Sequence, residues 1–159
     1  MKIAVGCDSF GYYTKLAVLR WLKVNGHEAL DVGISSDEPD NCLCDYADAV
    51  CEAVLAGKAE RGVLVCGTGA AMMIRANRWP GIRAVLCRGW IDAKEARQNT
   101  NMNIMVLQGF YQAPKMVDPL MADFLTTVFE PNERRLTRMT RFDAPVKAVK
   151  SPKKGGPKA

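Results

Sequence analysis

Gly62-Val63-Leu64-Val65-Cys66-Gly67-Thr68-Gly69-Ala70-Ala71 carries an apolar run through a glycine-rich turn into small residues. The run ending in Cys66 reads as a buried strand, and Gly67-Thr68-Gly69 opens a helix through Ala70, Ala71, Met72, Met73 and Ile74. Backbone N–H groups at such a helix start attract anions. A thiol with its ordinary pKa near 8.5 is about 3% thiolate at pH 7. Lowering that pKa to about 7, a change worth about 2 kcal/mol, makes it about half thiolate. Cys66 is thus a candidate base or nucleophile. The other reading is a small apolar residue that closes a strand. His27 is the only histidine in the chain, which restricts histidine chemistry to one position.

Working outward from this unit, short apolar runs alternate with helical patterns from end to end, which argues an α/β domain with a mostly parallel sheet. The strands expected are Ile3 to Cys7, Glu28 to Val32, Gly62 to Cys66, Arg83 to Cys87 and Ile104 to Leu107. Tyr13 to Asn25 places Leu16, Leu19, Trp21 and Leu22 at helical spacing, and Asp45 to Ala56 does so with Ala49, Val50, Ala53 and Val54. Ile91 to Asn99 and Lys115 to Val128 complete the helices, with Pro131 beyond the last. Ligands of open parallel sheets bind outside the carboxyl ends of the strands. Three polar turns fall there, Cys7-Asp8-Ser9-Phe10-Gly11, Cys66-Gly67-Thr68-Gly69 and Cys87-Arg88-Gly89, so a site is expected from the loops after the first, third and fourth strands. Neither glycine turn matches a dinucleotide or phosphate-loop motif.

The 159 residues suit one domain, and 48% hydrophobic content is that of a globular protein. Met1-Lys2-Ile3-Ala4-Val5 enters a strand directly, and no apolar run approaches the ~18 residues of a membrane span, which sets the expectation of a cytoplasmic protein. The six cysteines lie within strand and helix patterns and read as reduced thiols. Cys42-Leu43-Cys44 has no partner pair to complete a tetrahedral metal site, so no metal is expected. The net charge of +5 sits in the lysines at 147, 150, 153, 154 and 158. Residues 1–143 therefore read as the folded domain and 144–159 as a basic tail of disordered composition, a solubilising extension with no specific nucleic-acid partner.

Met1-Lys2-Ile3-Ala4-Val5-Gly6-Cys7-Asp8, Asn25-Gly26-His27-Glu28 with Asp31-Val32-Gly33, Asp45-Tyr46-Ala47, Val65-Cys66-Gly67-Thr68-Gly69, and Ala76-Asn77-Arg78 with Gly81-Ile82-Arg83-Ala84 form an ordered series. In order and spacing it resembles the ribose-5-phosphate isomerase B and galactose-6-phosphate isomerase family over roughly residues 1 to 130. The resemblance implies a Rossmann-like three-layer α/β/α sandwich with a five-stranded sheet. It also implies a homodimer or dimer of dimers with sites at the subunit interface, and cofactor-free interconversion of an aldose phosphate and a ketose phosphate. Moving a carbonyl between C1 and C2 needs a base that carries a proton between those carbons and donors that stabilise the enediolate. Cys66 matches the family's cysteine base. The N–H groups around Gly67, Gly69, Ala70 and Ala71 would face the oxyanion, Thr68 would relay a proton between oxygens, and Asp8, Ser9, Thr68 and Asn99 would contact substrate hydroxyls, with Asn99 as a catalytic residue and Thr100 as a further binding residue. Some relatives carry a carboxylate where this chain has Met72.

The departures from the family pattern carry information of their own. Asp8-Ser9 replaces Asp-His, Asn99-Thr100 replaces His-Asn, Cys42-Leu43-Cys44 replaces Asp-Tyr-Pro, and Phe110 replaces an arginine. The histidine credited with ring opening is thereby lost, and His27 falls at the wrong end of the second strand to replace it. Arg134 and Arg138 match the family's C-terminal arginines, share a helix face, and are the phosphate candidates, with Arg88 as a third. A tetrose phosphorylated on O4 cannot close a furanose through that oxygen and needs no ring-opening acid. Erythrose 4-phosphate and erythrulose 4-phosphate follow as candidate substrates, since tetrose-specific members resemble this chain at Ser9 and Asn99. The alternatives are a catalytically degenerate sugar-phosphate-binding partner subunit, and a thiol-dependent redox or acyl-transfer protein, the latter opposed by the lack of a resolving CxxC or a histidine partner.

Overall fold

A computed structural model describes residues 1–35 and 42–145. From residue 146 onward the expected basic tail lies outside the described residues. The chain runs β1 (Lys2–Cys7), α1 (Tyr12–Val24), β2 (Glu28–Asp31), α2 (Leu43–Leu55), β3 (Arg61–Cys66), α3 (Ala70–Ala76), β4 (Ala84–Leu86), α4 (Trp90–Thr100), β5 (Ile104–Gln108), α5 (Val117–Thr126) and α6 (Glu133–Phe142). Short 3-10 turns at Ser9–Gly11 and Pro114–Met116 precede α1 and α5.

The strands form one sheet in the order β2-β1-β3-β5-β4. Every pairing among the described residues is parallel, so the sheet is wholly rather than mostly parallel. Helices cover both faces, and strands buried on both faces read as continuous apolar runs. Ile3, Val5, Val63, Val65, Met105 and Leu107 point toward Val18 and Leu22 of α1, Ala93 of α4 and Leu120 and Phe124 of α5. Their neighbours Ala4, Leu64, Ile104 and Val106 point the other way, toward Val50 of α2 and Met72 and Ala76 of α3. The period-two alternation along each strand thus builds two cores, and the result is the three-layer sandwich.

Most boundaries lie within a residue or two of the sequence expectation, and three of the shifts have identifiable local reasons. The β4 strand begins at Ala84 rather than Arg83, whose N–H donates to the side chain of Asn103 (2.7 Å), and it ends at Leu86. The last long helix starts two residues late, behind the 3-10 turn, and ends where Thr127 turns extended (φ −68°, ψ 132°). Cys42 caps α2, its Sγ accepting the Cys44 N–H at 3.5 Å, so that helix begins at Leu43 rather than Asp45.

Strand β2 is tied to the rest by a buried cation. Lys15 of α1 is 2% exposed, and its Nζ donates to Asp31 at 2.9 Å and to the Ile34 carbonyl. Removing one member of such a pair strands the others. Lys15→Ala is expected to cost about 2 kcal/mol, less than for a fully buried pair because Asp31 can rehydrate. Urea unfolding, followed by the shift in midpoint, measures it.

Candidate active site

Chain order and strand order combine to place the site. The neighbours of β3 are β1 and β5, with Cys7 opposite Val65 and Cys66 opposite Gln108. The turn that follows Cys66 is therefore flanked by the loops after β1 and β5. The sequence reading named the loop after the fourth strand instead; β4 is an edge strand, separated from β3 by β5. Arg88, exposed after β4, lies at the carboxyl end of the sheet but at its margin.

Backbone hydrogen bonds continue past the strand ends and clamp the turn. Asp8 N donates to the Val65 carbonyl (3.4 Å), Gly109 N to the Cys66 carbonyl (2.9 Å) and Phe110 N to the Gly67 carbonyl (3.0 Å). Gln108 Nε2 donates to the Thr68 carbonyl at 3.1 Å. The loops approach so closely that a Cβ on Gly11 would stand 2.3 Å from the Val65 carbonyl oxygen. One on Gly109 would stand 2.1 Å from that of Phe10. Gly69 adopts φ +78°, the left-handed conformation that lets the chain turn from β3 into α3.

Cys66 is 6% exposed. The polar groups that act on its thiol are the Asp8 carboxylate and the Gly69 and Thr68 N–H groups. Asp8, 5% exposed, also accepts the Gly11 N–H at 3.0 Å. Burial, then the Asp8 hydrogen bond and charge, push the Cys66 thiol up to about 11, against the two N–H groups that favour its thiolate. In the single chain the thiol is held protonated, the opposite of the lowered pKa that would make it half thiolate. Cys7, Cys51 and Cys87 are pushed up to about 12, chiefly by burial. Ser9 is half-buried beside Asp8, and Thr68 is exposed, its Oγ1 accepting the Ala70 N–H at 3.4 Å.

The structure brings together Asp8, Ser9, Cys66, Gly67, Thr68, Gly69, Ala70 and Ala71. It does not bring Asn99, Thr100, Arg134 or Arg138 to them within one chain. Helix α4 starts beyond the carboxyl end of β4 and runs back, so its last residues lie at the opposite edge of the sheet, just before β5 begins. Asn99 donates to Glu95 at 2.5 Å and accepts from Arg135; Thr100 Oγ1 donates to the Ala96 carbonyl at 2.6 Å. Helix α6, capped by Asn132, packs beside α4 and carries Arg134 and Arg138, both exposed. Thr100 also lines a cavity of about 320 Å³ with Asn77, Ile82, Arg83, Val85 and Phe142. His27 lies at the amino end of β2, stacked on Trp21 with ring centroids 5.7 Å apart, as expected for a structural histidine.

Gln108 is a neighbour of the Cys66 turn that the sequence reading does not name, whereas Phe10 belongs to the expected loop after β1 and Phe110 stands where the family pattern has an arginine. Gln108-Gly109-Phe110 shows the same pattern of an apolar strand followed by a glycine turn, but only the strand order assigns it to the site.

The sheet and this cluster define a doubly wound α/β protein with a thiol at the end of its central strand, inside a glycine turn. The chain belongs to the ribose/galactose isomerase family, whose family model matches residues 3–142. It is 38% identical to ribose-5-phosphate isomerase B of Escherichia coli over 104 residues, 65% of this chain and 69% of that protein. It is 30% identical to D-erythrulose-4-phosphate isomerase of Pectobacterium atrosepticum over 130 residues, 82% of this chain and 86% of that protein. The crystal structure of a ribose 5-phosphate isomerase from Thermotoga maritima superposes with a TM-score of 0.86 at 37% identity, covering 89% of this chain and 97% of that one. The protein is a sugar-phosphate isomerase of the ribose-5-phosphate isomerase B type.

After burial, Asp8 does most to hold the thiol protonated. Asp8→Asn keeps an acceptor for Gly11 N but removes the charge, so the Cys66 pKa falls and more thiolate is present at pH 8. Alkylation of Cys66 by iodoacetamide, followed by peptide mass spectrometry, is expected to speed up about tenfold in this variant.

Proposed function

We propose that the chain interconverts a four-carbon aldose phosphate and its ketose through an enediolate, with Cys66 as the base. One observation carries this reading: a buried thiol ends the central strand inside a glycine turn, with the buried Asp8 carboxylate raising its pKa and the Thr68 and Gly69 N–H groups favouring its thiolate. Transfer of the thiol proton to Asp8 leaves a thiolate that takes the proton from C2. The C2–H electron pair becomes the C1–C2 double bond, and the carbonyl pair moves onto O1. Thr68 relays the O2 proton toward O1, Cys66 returns its proton at C1, leaving the carbonyl at C2, and the thiolate then recovers its first proton from Asp8. N–H groups of the Gly67-to-Ala71 segment stabilise the charge on oxygen meanwhile. Asp8 and Ser9 hold substrate hydroxyls.

The four-carbon choice is supported by Ser9 and Asn99, which leave no ring-opening histidine, and by the similarity to a relative named for erythrulose 4-phosphate. A 4-phosphorylated tetrose carries an open or hydrated carbonyl and has no ring to open. No cofactor is required, because the proton and the electron pair stay within the substrate and its base. Asn99, Thr100, Arg134 and Arg138, at the opposite edge of the sheet from Cys66, reach a substrate there only from a second copy of the chain. That supports a homodimer, or a dimer of dimers, in which one subunit supplies the base and the other the phosphate ligands.

Isomerisation in deuterated water across four-, five- and six-carbon aldose phosphates tests the assignment. Deuterium is expected at C1 of the four-carbon ketose formed and, on return, at C2 of its aldose, and Cys66→Ala is expected to fold normally and lose about 10³-fold or more in turnover. Undiminished turnover in that variant sinks the base assignment. Label that appears only in a five- or six-carbon sugar sinks the choice of substrate, and no label in any sugar favours a degenerate binding subunit.

A further inference from the structure

We propose that Phe110, backed by Phe10, is the wall that sets the length of carbon chain the site accepts, an inference that rests on the isomerase reading of the Cys66 turn. The Phe110 ring lies against the Cα of Gly67, so closely that a Cβ there would meet three of its ring carbons at 2.6, 2.9 and 3.1 Å. Its main chain is fixed by the bond from Phe110 N to the Gly67 carbonyl, one residue beyond the bond from Gly109 N to the Cys66 carbonyl. Phe10 stands edge-on to it, with ring centroids 5.1 Å apart and an interplanar angle of 63°. Phe10 is held in turn by the packing of Gly109 over its carbonyl. The two rings are therefore anchored through the same backbone contacts that hold the turn.

Anchored in this way, the rings remain 56% and 63% exposed, and Tyr111, 72% exposed, continues the apolar edge at 6.1 Å from Phe110. Most large side chains in this fold bury their apolar surface in one of the two cores. These rings instead present it at the rim of the Cys66 turn, where the end of the substrate remote from the reacting carbons would extend. A phenyl face can pack against C–H groups but gives no hydrogen bond to a hydroxyl or phosphate that it desolvates. A substrate whose polar end stops short of the rings loses nothing. One carbon more drives a hydroxyl or the phosphate against them, and discrimination by a single carbon unit in such a pocket is worth about 10- to 200-fold. The wall thus selects for four carbons over five.

Binding separates this role from catalysis. Titration calorimetry with the unreactive polyols erythritol 4-phosphate and ribitol 5-phosphate is run on the full chain and on Phe110→Ala, Phe110→Tyr and Phe10→Ala. The wild-type protein is expected to prefer the four-carbon ligand by about tenfold or more. Phe110→Ala removes most of that preference by tightening the five-carbon ligand, Phe110→Tyr retains it, and Phe10→Ala, a milder change at an exposed ring, weakens it. Circular dichroism confirms that each variant is folded, and Phe10→Ala carries the test alone if Phe110→Ala is not. An unchanged preference in the folded alanine variants, or a wild-type preference for five carbons, overturns the wall. The preference with no turnover of any aldose phosphate supports the wall while overturning Cys66 as base. Failure to bind either polyol overturns both.

Discussion

Everything at the carboxyl end of the sheet depends on main-chain contact between three loops. The carbonyls of Val65, Cys66 and Gly67 accept hydrogen bonds from Asp8, Gly109 and Phe110 in turn, so the ladder of the central strand continues beyond its last residue. That continuation requires backbones to meet where a side chain would intrude. Gly11 and Gly109 supply the missing Cβ atoms, and Gly69 supplies the left-handed φ that turns the chain into α3. A hydrogen-bonded loop of this kind holds its groups without large cost at the moment of reaction, which is the condition under which oriented N–H groups stabilise developing charge.

The same clamp sets up a tension in the thiol. Packing Cys66 into the α2/α3 core and against Asp8 raises its pKa, while the turn aims the Thr68 and Gly69 N–H groups at its sulfur. Burial and the carboxylate dominate in the resting chain. A base held this way is stronger once ionised, because the environment that resists losing the proton also favours taking one. Asp8 adds to burial in this balance, since its hydrogen bond and its charge both raise the thiol pKa.

Helix direction governs the other half of the site. In a parallel sheet each connecting helix runs antiparallel to its strands, so residues at a helix C-terminus return to the edge where the next strand begins. Asn99 and Thr100 end α4 there, and α6 adds Arg134 and Arg138 beside them. Glu95, Arg135 and the Ala96 carbonyl hold the side chains of Asn99 and Thr100 in the single chain.

Read from residues alone, the chain already determined a great deal. Alternating apolar runs and helical spacing are local properties of backbone geometry, so the five strands, the order of strands and helices along the chain and the turn at Cys66-Gly67-Thr68-Gly69 were legible in the sequence. The cap that shifted the start of β4 was not, because Asn103 acts on Arg83 through a contact that no local pattern encodes. Strand order was equally hidden. It alone made β5 rather than β4 the neighbour of Cys66 and brought Phe110 onto Gly67. The direction of the thiol's pKa shift also waited on the fold: a helix start and a glycine turn suggest a lowered value. Burial and a carboxylate supplied by another strand, both properties of the packed chain, raise it.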